Sequence, residues 1–150
     1  MILKEELRKY LKLIKIMQRM PSIYVEAIED MFGYNKQKSE ELIQIFLNNT
    51  KKFDGDINLY ETNMKSIGIL EYVGGNLNLR GTLIESLDNL KYVGSNLWVS
   101  HSKVESPGHL EYVGGFMDIR NSPLAKICYP DYEYAIREQY GIVVGDEILY

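Results

Sequence analysis

The chain has 150 residues, of which 45% are apolar, so it is long enough for one domain with a sizeable core and is not composed like a disordered chain. Its formal net charge of −4 argues against a general nucleic-acid binder. The single cysteine, Cys128, excludes an intramolecular disulfide and a thiolate metal cluster, and it favours a reducing, cytoplasmic location.

Residues 3–20 have the periodicity of an amphipathic helix. The apolar stripe follows steps of four and three residues and comprises Leu3, Leu7, Leu11, Ile14 and Met17. A basic stripe follows the same steps and comprises Lys4, Arg8, Lys12, Lys15 and Arg19. The lysines exclude a signal-peptide core and a membrane span. The basic stripe is either a solvated face or a contact for an acidic protein, nucleic acid or a membrane surface.

Two further helices are predicted before residue 50. Ser22 is a plausible N-cap for a helix over residues 23–32, which Gly33 ends. A third helix is predicted over residues 36–47, with an inward face formed by Leu42, Ile43 and Phe46. Residues 1–50 carry a net charge of +1 and residues 51–150 a net charge of −5, which indicates a boundary near residue 50. We interpret residues 1–50 as a three-helix cap on the remainder.

The alternative interpretation of residues 22–47 is a helix-turn-helix. Two short helices about a glycine turn have the spacing of that DNA-binding motif. The second helix carries Lys36 and Lys38, but also Glu40 and Glu41 near its middle, where phosphates and bases would be contacted. A nucleic-acid-binding regulator therefore remains the second hypothesis for function.

Residues 51–150 contain a repeat with a period of twenty. Three copies of one phrase start at Leu70, Leu90 and Leu110, as Leu-Glu-Tyr-Val-Gly-Gly, Leu-Lys-Tyr-Val-Gly-Ser and Leu-Glu-Tyr-Val-Gly-Gly. A degenerate first coil starts at Gly55. Self-similarity at this period is typical of a solenoid, in which each unit covers the apolar face of its neighbour.

Each repeat contains two patterns. Leu77 and Leu79 alternate with polar residues, which predicts one strand of about five residues per coil and hence one parallel sheet. Apolar residues then recur every three positions, as in a helical or 3₁₀ connector. The Gly-Gly pair is expected to supply positive φ before the next strand. A column of hydroxyls, Thr62, Thr82, Ser102 and Ser122, is expected to bond the backbone of a turn.

Residues 53–124 resemble a leucine-rich repeat protein. The family spacing L-x-x-L-x-L-x-x-N-x-L appears as Val73-x-x-x-Leu77-x-Leu79-x-x-Thr82-x-Ile84, with one extra residue before the strand and a hydroxyl in place of asparagine. The chain looks most similar to the short repeats with Gly-Gly of bacterial and tailed-phage proteins. The resemblance implies an α/β solenoid with parallel strands, and it implies little about the target because such proteins bind unrelated partners.

The C-terminal segment departs from the repeat. Ser122-Pro123-Leu124-Ala125 interrupts it, residues 131–139 predict a short helix followed by Gly141, and residues 142–150 predict a last strand. The Gly145-Asp146 pair of that strand repeats Gly55-Asp56. We interpret this segment as a helix-strand cap.

No catalytic or cofactor site is predicted. His101 and His109 are eight residues apart, which fits no usual zinc spacing. Cys128 has no histidine that the repeat register brings near it, and no Gly-Lys-Ser/Thr follows the glycine pairs. We therefore expect no enzyme, no metal and no cofactor. An enzyme acting on an extended polymer is a third hypothesis that would need converging carboxylates.

Stacking places the outward residues in columns. The first is Asn58, Asn78, Trp98 and Asp118, the second Tyr60, Arg80, Ser100 and Arg120, and the third Glu61, Gly81, His101 and Asn121. A tryptophan flanked by arginines has the composition of a binding hot spot, unless a loop or the N-terminal helices cover it. The predicted partner-binding residues are Trp98, Arg80, Arg120, Tyr60, Asn78, His101 and Asp118. Tyr72, Tyr92 and Tyr112 form a further ladder, either structural or a second contact surface.

The leading hypothesis is a non-enzymatic protein-protein interaction module. If the chain is phage-encoded, as the style of its repeat suggests, the partner is a host protein that it inhibits or redirects. We expect no membrane partner, and an exposed edge coil could pair with a second copy.

Overall fold

The computed structural model describes residues 3–150 and confirms the predicted fold class, an α/β solenoid of parallel strands with helices at both ends. The helices are α1 Lys4–Met17, α2 Val25–Phe32, α3 Lys36–Leu47, α4 Pro123–Cys128 and α5 Tyr132–Tyr134. The strands are β1 Ser22–Ile23, β2 Lys52–Phe53, β3 Asp56–Asn58, β4 Tyr72–Val73, β5 Leu77–Asn78, β6 Tyr92–Val93, β7 Leu97–Trp98, β8 Tyr112–Val113, β9 Met117–Asp118, β10 Val143–Val144 and β11 Ile148–Leu149.

Each coil contributes to two parallel sheets, so the expectation of one strand per coil was wrong. The first sheet has the order β1-β3-β5-β7-β9-β11 and the second β10-β8-β6-β4-β2. The phrase Tyr-Val-Gly-Gly is the reason, because its Tyr-Val half is a strand of its own and its glycines form the corner that leads to the next strand. The residues between β5 and β6 form turns and an isolated bridge at Ser86, not the predicted helical connector.

The corner glycines are required for close approach and not for positive φ, which corrects the sequence interpretation. A Cβ added to Gly94 would lie 2.0 Å from the carbonyl oxygen of Gly74, and one added to Gly114 would lie 2.1 Å from that of Gly94. Left-handed backbone occurs instead in the turns after β3, β5, β7 and β9, at Glu61, Gly81, His101 and Asn121, and before β4, β6 and β8, at Gly68, Asp88 and Gly108.

The hydroxyl column bonds the turn backbone as expected. The side chains of Thr62 and Thr82 each donate to a carbonyl three residues earlier at 2.7 Å. Ser102 and Ser122 make the same bond at 2.5 and 2.6 Å. Each hydroxyl is buried, and the carbonyl that accepts from it also accepts from the backbone N–H of the same residue, so these bonds satisfy the buried hydroxyls and reinforce the turn.

The N-terminal helices belong to the stack itself. β1 pairs with β3 and β2 with β4, so α2 and α3 occupy the place that a short connector has in later coils. Ser22 lies in β1, paired with Asp56, and Tyr24 precedes α2, so the predicted N-cap at Ser22 was wrong. Gly33 ends α2 with a φ of 71°, as predicted.

One hydrophobic core runs through both ends of the chain. It includes the predicted inward residues of α3, Leu42, Ile43 and Phe46, together with Leu77, Leu97 and Met117 of the repeat and Ile136 and Ile148 near the other end. The helix α1 contacts α3, which in turn bonds the first repeat coil through the carbonyl of Leu47.

The C-terminal segment completes one more coil. α5 continues into a π-helical turn over Ala135–Gln139, and the chain then returns to both sheets through β10 and β11. The predicted last strand over residues 142–150 is thus two strands, separated at Gly145 by the same corner as in the repeat. A short helix over 123–128, capped by Ser122, was not predicted.

Arg137 covers the free edge of this last coil. In preceding coils, the carbonyls equivalent to those of Val144 and Asp146 accept from the next coil, for example Val93 from Gly114 and Ser95 from Gly115, both at 2.9 Å. Here the guanidinium of Arg137 donates to Val144 at 2.6 Å and to Asp146 at 2.8 Å, while Glu133 accepts from its Nε at 2.7 Å. One side chain therefore occupies two acceptors that a further coil would use.

Candidate functional site

The outward face of the first sheet carries the predicted columns in the predicted register. Asn58, Asn78, Trp98 and Asp118 are paired in sequence across β3, β5, β7 and β9. Three of them close the turn that follows their strand. Asn58, Asn78 and Asp118 each accept a hydrogen bond from the backbone N–H two residues later, at 3.0, 3.0 and 3.1 Å. These three side chains therefore serve the fold.

A neighbouring column forms an amide ladder from coil to coil. The backbone N–H of Asn76 donates to the Asp56 side chain at 2.7 Å, and that of Asn96 donates to the Asn76 side chain at 3.0 Å. Phe116 donates to Asn96 at 3.0 Å, but as an aromatic residue it offers no acceptor to the next coil. The ladder therefore ends at Phe116.

Trp98 and Phe116 are the two residues that break these columns, and they contact each other. Their ring centroids lie 5.0 Å apart with the rings nearly perpendicular, at 88°. Both side chains are half-buried. An edge-to-face aromatic pair is a rigid apolar feature, and most of the neighbouring column residues on this face are amide or charged side chains. We name Trp98 and Phe116 the aromatic pair.

Phe116 was missed by the sequence interpretation. The signal was present, because the same position is Asp56, Asn76 and Asn96 in the preceding coils. Column analysis of the strand alone did not include this residue, since the ladder it interrupts becomes visible only in the structure. Trp98 is half-buried, so the alternative that a loop or the N-terminal helices cover it holds only in part.

Tyr60 and Arg80 form an exposed cation-aromatic contact on the same face. The guanidinium carbon of Arg80 lies 5.7 Å from the centroid of the Tyr60 ring. In the described part of the chain, no carboxylate lies within ion-pair distance of Arg80. A hydrogen bond with Glu61, and the charge of that carboxylate, raise the pKa of Tyr60. Arg80 is therefore free to meet an acceptor on a partner.

Arg120 is instead committed to Asp118. Its Nε and Nη2 donate to the two carboxylate oxygens at 3.0 and 2.8 Å. Asp118 is only 1% exposed. Burial by itself would raise the pKa of Asp118, but the bonds from the Arg120 side chain and backbone outweigh it and hold that pKa below its usual value. The pair offers little to a partner beyond the outer face of the guanidinium.

Replacing Arg120 by Ala is expected to lower stability by about 1–3 kcal/mol at neutral pH, because a buried carboxylate loses its charged donor. The folded pKa of Asp118 is depressed, so its contribution is present above the unfolded pKa and lost as pH falls through the folded pKa. The difference between wild type and Arg120→Ala should therefore shrink on acidification. Urea unfolding at neutral and acidic pH measures this. Arg80→Ala, which breaks no ion pair, is the control; a pH-independent difference would contradict the assignment.

His101 lies in the left-handed turn after β7, with a φ of 55°. Its side chain is exposed, and its Nε2 lies 3.3 Å from Nδ2 of Asn121 in the next coil. His101 follows Trp98 by three residues in the sequence. It forms no ion pair with a carboxylate of the described residues.

Residues 3–150 contain no cluster of metal-ligating side chains. No group of three or more His, Cys, Asp and Glu side chains is placed there to hold a metal ion. The thiol of Cys128 is buried, and burial raises its pKa, which disfavours a reactive thiolate. Among these residues, every helix is too short or too polar to cross a lipid bilayer.

The predicted helix-turn-helix segment folds as two packed helices beside a groove. The groove has a volume of about 660 Å³ and lies between α3 and the first repeat coil, lined by residues that include Lys36, Glu40, Glu41 and Asn63. Glu40 accepts a hydrogen bond from the backbone of Asn63 at 3.1 Å. The exposed face of α3 is thus partly engaged by the solenoid and carries carboxylates, a combination that disfavours contact with phosphates.

The tyrosine ladder stacks as expected. The rings of Tyr72 and Tyr92 lie 4.6 Å apart and those of Tyr92 and Tyr112 lie 4.7 Å apart, with interplanar angles of 5° and 10°. Lys52 lies 4.8 Å above the Tyr72 ring, and Lys91 pairs with Glu71 at 3.7 Å. These contacts join successive coils, so the ladder has a structural role.

No family model, curated protein or solved structure matches this chain.

Proposed function

We propose that the chain is a non-enzymatic protein-binding module whose contact surface is centred on Trp98 and Phe116. The observation that carries the proposal is that both residues replace amide or carboxylate side chains that build the fold in other coils. Asparagine at position 98 would close the following turn. Asparagine at position 116 would restore an acceptor to the column, although the next donor, the backbone N–H of Glu147, already donates to the Asp146 side chain at 2.9 Å. A sequence that breaks its own structural pattern twice, at two touching positions, is typical of a functional site.

The surroundings of the aromatic pair favour a protein partner over a small molecule. The face is regular, because its columns are in register from coil to coil. Exposed polar groups border the pair, including the free guanidinium of Arg80 and the side chain of His101. A central aromatic anchor with a polar rim is the composition of protein interfaces. We expect the partner to present an apolar side chain to Trp98 and an acceptor to Arg80.

A narrower proposal follows from the resemblance to short bacterial and tailed-phage leucine-rich repeats. In it, the partner is a host protein whose activity the module inhibits or redirects.

The test restores the repeat. The double variant Trp98→Asn, Phe116→Asn is expected to keep the thermal midpoint, because asparagine at position 98 regains the turn bond of its column and asparagine at position 116 matches the side chains of the preceding coils. It should weaken partner binding at least about tenfold, as expected for loss of an aromatic anchor. Partners are first captured from the native cell with wild-type chain, and the affinity of each purified partner is then measured by calorimetry.

Two results separate a binding role from a structural one. The control variant Glu85→Ala, Glu105→Ala changes two exposed residues in the segments that connect β5 to β6 and β7 to β8. It should leave the affinity for the partner unchanged. A large drop in the stability of the double asparagine variant would show that the aromatic pair stabilises the fold and is not a binding site. Unchanged affinity of a correctly folded double variant would overturn the site.

A further inference from the structure

The two ends of the solenoid differ from its middle in exposed apolar surface. Thirteen large hydrophobic residues are exposed in the described chain, and none of them lies between residues 70 and 126. Four belong to α1 or its flank: Leu3, Leu7, Leu11 and Ile16. Five belong to the last coil: Ile127, Tyr129, Tyr134, Val143 and Tyr150. Exposed apolar residues clustered in this way mark interaction surfaces.

On α1, the apolar stripe predicted from the sequence is only half used by the fold. Ile14 and Met17 are buried at 3% and 0% exposure, whereas Leu7 and Leu11 are 46% and 40% exposed. The leucines thus continue the seam through which α1 packs onto α3. Because the rest of that seam faces the protein's own core, the helix cannot lay its whole apolar face on a bilayer. The geometry favours a protein surface as the occupant.

The charges at the two ends are opposite. Residues 3–20 hold six Lys or Arg and two Glu, a net charge of +4, and no salt bridge in the described chain involves those cations. Residues 121–150 hold five Asp or Glu and two Lys or Arg, a net charge of −3. Two copies of α1 would repel each other, whereas α1 and the last coil attract.

We propose that copies of this chain associate head to tail, with the basic leucine face of α1 docked on the acidic apolar surface of the last coil of a second copy. Backbone pairing does not supply this contact, because the docked element α1 is a helix whose backbone is bonded within itself, and Arg137 occupies the carbonyls of Val144 and Asp146 at the edge of β10. The contact is therefore made by side chains. Such an interface is heterologous, so it closes into a ring or continues as a filament.

The experiment blocks one end at a time in the full chain. The variant Leu7→Glu, Leu11→Glu blocks the α1 face, and the variant Tyr134→Lys, Val143→Lys blocks the last coil. All four residues are exposed, so each variant is expected to fold, which circular dichroism checks. Sedimentation velocity then gives the mass of wild type, of each variant and of their equimolar mixture.

Wild type is expected to grow in mass with concentration, and high ionic strength should reduce this growth by screening the opposite charges. Each blocked variant alone should remain at the monomer mass of 17.4 kDa. Their mixture should form a dimer and stop there, since each partner contributes its one intact end.

Three outcomes would overturn the proposal. They are a monomeric wild type at every concentration, a mixture that stays monomeric, and a blocked variant that associates as wild type does. A monomeric wild type that sediments with vesicles of anionic phospholipid would assign the α1 face to a membrane surface instead. None of these measurements depends on the aromatic pair, so the proposed function stands or falls separately.

Discussion

Gly94→Ala is expected to destabilise the protein by about 4 kcal/mol, a large effect for a single methyl group. The added Cβ would lie 2.0 Å from the Gly74 carbonyl oxygen, and that atom belongs to the backbone of the neighbouring coil. The coils cannot separate locally, because Gly94 also donates to the Val73 carbonyl at 2.8 Å. Guanidinium unfolding of wild type and variant measures the loss.

Gly33→Ala provides the matched control. Gly33 has a left-handed φ of 71°, but nothing lies within 4 Å of an added Cβ. Its replacement should cost only about 1–2 kcal/mol, the usual cost of an L-residue in that conformation. A loss at Gly94 no larger than the loss at Gly33 would contradict the requirement for close contact between coils at the corner glycines.

Arg137→Ala is expected to lower stability by about 2–3 kcal/mol, because two backbone carbonyls of the last coil lose charged donors. The loss should be local. In Arg137→Ala, residues 142–149 are expected to exchange their amide hydrogens faster than in wild type, because this side chain holds them to the helical segment. Exchange in the central coils should stay as in wild type. Hydrogen exchange followed by mass spectrometry resolves the two regions.

Arg137→Lys tests the geometry of that contact. An ammonium keeps the charge but lacks the planar fork that reaches both carbonyls, so it should recover only part of the loss. Full recovery would mean that charge alone holds the last coil. Unchanged exchange over residues 142–149 in Arg137→Ala would show that the edge is held by other contacts.

The repeat made most of the fold predictable, because a twenty-residue period leaves few ways to bury its leucines. Register, inward and outward residues, the hydroxyl column and the tyrosine ladder all follow from stacking identical units. The resemblance to leucine-rich repeats stays a prediction. Ser22 was mistaken for a helix cap because a two-residue strand has too little pattern to compete with a capping signal.

The candidate site was only partly predictable. Trp98 was found because it is the single tryptophan at an outward position. Phe116 was not, because its importance depends on the ladder that Asp56, Asn76 and Asn96 form across three coils. Asp118 was predicted as a contact residue, yet the structure buries it against Arg120. Alternation gives the direction of a side chain but not what covers it.

The parallel solenoid, its register and the outward position of Trp98 follow from periodicities of two and twenty residues, which can be seen in the sequence. The two strands per coil, the need for corner glycines at contacts between coils and the cover that Arg137 gives to the edge of β10 can be seen only in the folded chain. The difference lies in separation along the chain. Local periodicity describes the pattern within one coil. The strand pairing and the corner glycines instead depend on contacts between residues twenty positions apart, and the cover of the last edge depends on the Arg137 side chain bonding the later strand β10.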